Sequence, residues 1–180
     1  MTRARKWLLC VAALIVVAGG IGLIVYDKLF RREFPAYASD VEHFKYGSIG
    51  DEDTNGLPYL LWRVLPDVFP EYLPGPGGYA SLGFAWEQGR DRTDAPIGFS
   101  RARIGFERMA INCAFCHNTS IRLSENAAPT MYPAGPASME DVLGYQIFLT
   151  KSARDPRFTP EVLLAAIDRV APLSFLDRML

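Results

Sequence analysis

The chain has 180 residues, 49% of them hydrophobic, with a formal net charge of −1. That length suits one modest domain plus an appendage. The charge hides a split: residues 1–32 carry six Lys or Arg against one Asp, a balance of +5, while residues 33–180 carry thirteen against nineteen, or −6. An acidic domain lacks the basic face that nucleic-acid binding needs, and it suits a basic protein partner better.

Taken in chain order, the first feature is Trp7 to Tyr26, twenty residues without a charge. As a helix they span about 30 Å, the thickness of a bilayer core. The run is longer than a signal-peptide apolar region, and its exit, Val25-Tyr26-Asp27-Lys28, is not small. We therefore read residues 7–26 as an uncleaved membrane anchor, with cleavage near Ala18-Gly19-Gly20 as the alternative. Arg3, Arg5 and Lys6 before the run balance Lys28, Arg31 and Arg32 after it, so flanking charge does not set orientation.

Phe34 to Tyr46 is expected to form a short helix, and Gly47 to Gly56 a loop. Leu57 to Phe69, interrupted by Pro58 and Pro66, reads as a short broken helix. Pro74-Gly-Pro-Gly-Gly78 is a strong break. We place there the end of a lead-in segment (33–78), between the anchor with its basic flanks (1–32) and the main domain (79–180). Tyr79 to Trp86 reads as extended and Glu87 to Asp94 as a charged loop.

Phe106 to His117, without Pro or Gly and followed by Asn118, reads as a helix. Residues 119–137, with three prolines, read as irregular. A helix is expected from Ser138, in a capping-box pattern with Asp141, to about Ser152. Another is expected from an N-cap at Thr159 and Pro160 to about Val170. The tail from Pro172 ends without a cap. Either it packs on the domain or the chain is an N-terminal piece of something longer.

Within the 106–117 segment lies Cys113-Ala114-Phe115-Cys116-His117, the CxxCH pattern of covalent c-type haem attachment. On a helix, positions i, i+3 and i+4 share a face, so two thiols can bond the haem vinyls while the imidazole meets the iron. Structural zinc needs four ligands, and a thioredoxin-type dithiol needs a βαβ setting that this region lacks. Cys10, inside the anchor, reads as a small apolar residue.

The second axial position separates a closed electron carrier from an open, reactive iron. Met131 is the first candidate: a run of 14 residues reaches about 45 Å, enough to pass a haem edge. Met139 is the second. Met109 is placed better for a proximal wall, Met179 lies in the tail, and His43 is distant in sequence. Arg101, Arg103, Arg108 and Arg122 could bind haem propionates or form a solvated basic stretch. Phe99, Phe106, Phe115, Trp86 and Tyr132 are candidates to line the haem pocket or the core.

The motif, with Gly77-Gly-Tyr-Ala-Ser-Leu-Gly83, Pro96-Ile-Gly-Phe-Ser100, Ala110-Ile-Asn112 and Tyr132-Pro-Ala-Gly-Pro-Ala137, resembles bacterial membrane-anchored c-type cytochromes grouped with the diheme peroxidase and rubber-oxygenase type. The resemblance covers about residues 56–165. It implies haem c, one per chain, a periplasmic domain on the inner membrane, and a redox protein partner. Enzymes of that kind carry two CxxCH motifs and this chain carries one: for a complete chain their two-haem mechanism does not transfer, whereas for a fragment this haem would be half of such a system. The expected fold is mainly α: a transmembrane helix followed by a small α-helical, cytochrome c-like domain with long irregular loops. The expected function is electron transfer, with a haem peroxidase or oxygenase, or one haem module of a diheme enzyme, as the alternative.

Overall fold

The structure, a computed structural model, describes residues 2–87, 89–91, 93–127, 130–135 and 140–179. Its first element is α1 (Arg3–Leu29), 27 residues with none buried. At 1.5 Å per residue it is about 40 Å long, enough to cross a bilayer. It is the one described helix both long and apolar enough to do so, in keeping with a single-pass anchor.

The chain leaves α1 directly into a sheet. Strand β1 (Arg32–Glu33) pairs antiparallel with β3 (Phe99–Ile104). β3 forms a hairpin with β4 (Phe106–Ile111), and β2 (Leu57–Pro58) pairs with the far side of β4, giving the order β1-β3-β4-β2. The hairpin turns at Gly105, whose φ of +73° suits glycine. A Cβ there would also stand 2.5 Å from the Leu29 carbonyl oxygen. Arg103 locks the same junction, donating to both the carbonyl and the carboxylate of Asp27. The helix exit is thus stitched to one end of the sheet.

The mainly-α expectation holds in part: the structure is 51% helical with a long N-terminal apolar helix, but a four-stranded antiparallel sheet stands beside the helices. Residues 106–111 form a strand rather than the first half of a helix, and only Cys113–Cys116 turns helically, as α4. The absence of Pro and Gly allows a helix but does not select one. The deciding feature is the neighbouring segment: Gly105 joins two runs that pair residue for residue from Ile104↔Phe106 to Phe99↔Ile111. Two described stretches of the 119–137 segment are likewise more regular than expected. β5 (Asn118–Ile121) pairs with β6 (Thr130–Pro133) in a second small sheet.

Of the helices, α2 (Asp40–Tyr46) is shorter than the 34–46 reading, because Ser39 caps it and accepts from the Glu42 N–H. α3 (Tyr59–Val68) contains Pro66. A proline there cannot donate to the carbonyl four residues back. That Trp62 carbonyl instead accepts from the buried Tyr79 hydroxyl at 2.7 Å, and burial pushes the Tyr79 phenol well up. Tyr79 lies in a 3₁₀ turn over Gly78–Leu82, not in the extended segment expected. α5 (Val142–Arg154) starts at an Asp141 cap rather than at Ser138, which lies outside the described residues. α6 (Pro160–Val170) starts at Thr159 as expected and packs on α3. A last short helix, α7 (Phe175–Met179), meets the anchor exit through Asp177 and Lys28.

The core is aromatic. Trp62 stacks on Tyr79 with centroids 4.5 Å apart, and Phe84, Phe99, Phe115, Tyr145 and Phe148 close around them. Offset and edge-on ring pairs of this kind add stability beyond their buried area. Residues from both sides of Pro74–Gly78 share this core and the four-stranded sheet.

Candidate functional site

The CxxCH segment is built at the far end of β4. Asn112 ends the strand and caps the turn: its Oδ1 accepts from the Ala114 N–H at 2.9 Å. Its Nδ2 donates to the carbonyls of Lys45 (3.2 Å) and Gly47 (3.0 Å) at the end of α2. On the other side, Asn118 donates to the Ala114 carbonyl (2.7 Å) and to Glu140 (2.8 Å). Both asparagines are buried, so these bonds are protected from water and costly to lose.

Ala114 and Phe115 are fully buried. Phe115 lies 5.1 Å from Phe99 and 5.5 Å from Phe84 between ring centroids. Ala114 packs with Tyr46 and Ile97. With the two middle residues drawn inward, Cys113, Cys116 and His117 are all exposed, and both thiols are free. Ile111 and Ile121, on the strands before and after the turn, are exposed apolar neighbours. A cleft of about 300 Å³ lined by Ile111, Phe115, Val142 and Leu149 opens beside it.

This arrangement fits haem c. Thioether formation needs two reachable thiols and an imidazole on one turn with apolar surface around them. Among the described residues no three His, Cys, Asp or Glu side chains form a metal-binding group. Zinc would need such convergence.

The other predicted residues scatter. Arg101 pairs with Glu107 and lies over the Tyr59 ring at 3.7 Å. Arg103 is held by Asp27, and Arg108 lies over Phe106 and reaches the Glu52 carbonyl. All three occupy the strands leading back to the anchor and already have protein partners. Arg122 is exposed just after β5. Met109 is buried in the aromatic core. Met131, on β6, is half-buried against the Tyr46, Ile97 and Ala114 cluster, on the inward side of the turn. Met139 lies outside the described residues. Phe99 and Phe115 are core, Trp86 is half-buried, and Phe106 and Tyr132 are exposed. His43, far off in sequence, is on α2, which packs against α4.

Sequence reasoning missed Asn112, Asn118 and Gly98 as the parts that shape the turn. Asn on each side of the motif was the available signal. It also missed the charge network on α2. Lys45, nearly buried, donates to Glu87 at 2.5 Å, and Tyr46 donates to the other Glu87 oxygen at 2.9 Å. Burial alone would raise the Glu87 carboxyl; the hydrogen bonds from Lys45 and Tyr46 outweigh it and hold the group below its usual range.

Compared with family models, curated proteins and solved structures, the chain matches none.

Proposed function

We propose that this chain is a membrane-anchored c-type haem protein that carries electrons on the periplasmic side of the inner membrane. Cys113 and Cys116 hold the haem through thioethers and His117 is an axial iron ligand. The observation that carries this reading is the CxxCH turn itself, with its two thiols and imidazole exposed and its two middle residues fully buried. When bound, haem supplies a one-electron iron couple, whose potential the protein tunes through ligand and burial.

The chain's own residues do the rest. Asn112 and Asn118 hold the turn, and Phe115 fastens it to the core. β4 separates it from the anchor exit: Cys113 lies seven positions after Phe106, about 23 Å of extended chain. Since the junction at Gly105 and Arg103 is bonded to α1, the haem would stand at a set height above the bilayer. That confines it to membrane partners and raises their effective concentration. The −6 balance of residues 33–180 suits a basic docking face on a redox partner.

The test is covalent attachment. The full chain, made in cells that mature c-type cytochromes, should give a haem-stained band after denaturing electrophoresis. Cys113→Ala with Cys116→Ala should abolish it. A band that survives the double substitution, or none from the wild type, removes this reading.

A further inference from the structure

We propose that the anchor-side end of the domain lies in the headgroup layer of the bilayer. The β3–β4 hairpin tip at Phe106 and helix α7 at Phe175 are seated there beside α1, as a second membrane contact outside the span. This rests on the anchor part of the reading above and is independent of haem.

The bonds at the exit of α1 fix the level of that end. Trp7 to Tyr26 fill the hydrocarbon core, about 30 Å thick. Asp27 to Leu29 finish the helix about 5 Å beyond it. The polar layer on each side of a bilayer is about 5–8 Å deep. Two elements are bonded to the chain at this height. The Gly105 N–H donates to the Arg31 carbonyl at 2.8 Å, and Arg103 donates to the carbonyl and the carboxylate of Asp27. Lys28 donates to Asp177 of α7 at 2.5 Å. The hairpin tip and α7 therefore stand level with the end of the span.

The side chains found there suit that layer. Tyr26 is 60% exposed, Phe30 62%, Phe106 46% and Phe175 74%. Aromatic rings at the edge of a span and on interfacial segments partition to the headgroup level. A cleft of about 480 Å³ is lined by Leu29, Pro58, Phe106 and Leu173 together with Lys28 and Asp177. An apolar wall beside charged groups matches the zone where acyl chains meet headgroups. The occupant is the bilayer because the patch is continuous with the exposed apolar surface of α1. A protein partner would have to displace headgroups to reach it. Leu143 is as exposed, at 65%, but stands at the other end of the domain: it lies on α5 two residues before Tyr145, which packs on Phe115 of the motif turn.

The experiment uses the full chain in bilayer discs of phosphatidylethanolamine and phosphatidylglycerol. A photoreactive p-benzoylphenylalanine stands in place of Phe106, of Phe175, of Leu143 or, inside the anchor, of Leu14. Thermal melting checks that each variant folds. After irradiation, mass spectrometry should find phospholipid joined to the chain at positions 14, 106 and 175 but not at 143. Phe106→Trp and Phe175→Trp give a second reading: lipids brominated near the headgroup end of their acyl chains should quench the added emission of both. Lipid at 14 without lipid at 106 and 175 overturns the proposal and leaves the anchor standing. Equal labelling at 143 overturns it as well, because the domain then meets lipid without a preferred face. Adducts at 106 or 175 that join two copies of the chain overturn it in favour of self-association. No lipid at 14 would instead remove the anchor reading and this one together.

Discussion

Gly98 lies flush against Phe115: a Cβ on Gly98 would stand 2.5 Å from the Phe115 Cα and 2.6 Å from its nitrogen. The contact is between two backbones, so neither can move aside cheaply. Gly98 also has a φ of +89°, which L side chains rarely adopt. The start of β3 is therefore shaped around the middle of the Cys113–Cys116 turn. Gly98→Ala should destabilise the domain by about 2–4 kcal/mol, from strain and clash together. Urea denaturation checks the stability, and the yield of covalent haem should fall with it.

Asn112 serves three segments through one amide. Asn112→Ala removes the cap of the turn, takes the Asn112 donor from the Gly47 carbonyl and leaves the Lys45 carbonyl with the Gly98 N–H alone. The expected cost is about 2–4 kcal/mol. Asn112→Asp keeps an acceptor for the Ala114 N–H but no donor for the two carbonyls, so it should fall below the wild type. Equal stability of Asp and Asn at this position would mean that the bond to α2 contributes nothing.

The Glu87 carboxyl is held below its ordinary value, and this predicts acid sensitivity. A group whose folded pKa is depressed adds stability that is present above its unfolded value, here 4.5, and lost as pH falls through the folded value. Glu87→Gln should remove that part of the profile, flattening the stability curve between about pH 5 and pH 3. At neutral pH it also leaves the nearly buried Lys45 with only the longer pair to Glu42, at 3.6 Å, at a cost of about 1.5–3 kcal/mol. Melting curves of both proteins across pH check this; parallel profiles would count against the network.

Met131 is half-buried against Tyr46, Ile97 and Ala114, so its loss should be felt as packing. Met131→Ala should cost about 1–2 kcal/mol, as suits a half-buried side chain. Covalent haem should persist, because Cys113 and Cys116 are untouched. A Met131→Ala protein that turns high-spin and binds carbon monoxide, where the wild type does neither, would make Met131 an iron ligand.

Several features were legible from residue order because they depend on local chemistry. Twenty uncharged residues make the anchor helix wherever they occur. Thr159-Pro160-Glu161 starts a helix through its own side chains. The Ser39-to-Glu42 spacing carries the same kind of signal, and α2 starts there. The segments that misled were those whose form depends on a partner. Phe106 to Ile111 has no local bar to a helix, and only pairing with Phe99 to Ile104 makes it a strand. Residues 119–137 looked irregular because β5 and β6 each need the other to satisfy their backbone groups.

The site divides in the same way. The spacing of Cys113, Cys116 and His117 is a property of the sequence, and so is the chemistry it suggests, because one helical turn sets which side chains share a face. Which face points outward is decided by the fold: the aromatic core takes in Phe115, and two buried asparagines clamp Ala114. That Arg101, Arg103 and Arg108 lie on the strands running back toward the exit of α1 is also tertiary. Contacts across 65 or more residues, such as Asn112 to Gly47 and Arg103 to Asp27, depend on sheet order and core closure. No local pattern encodes those.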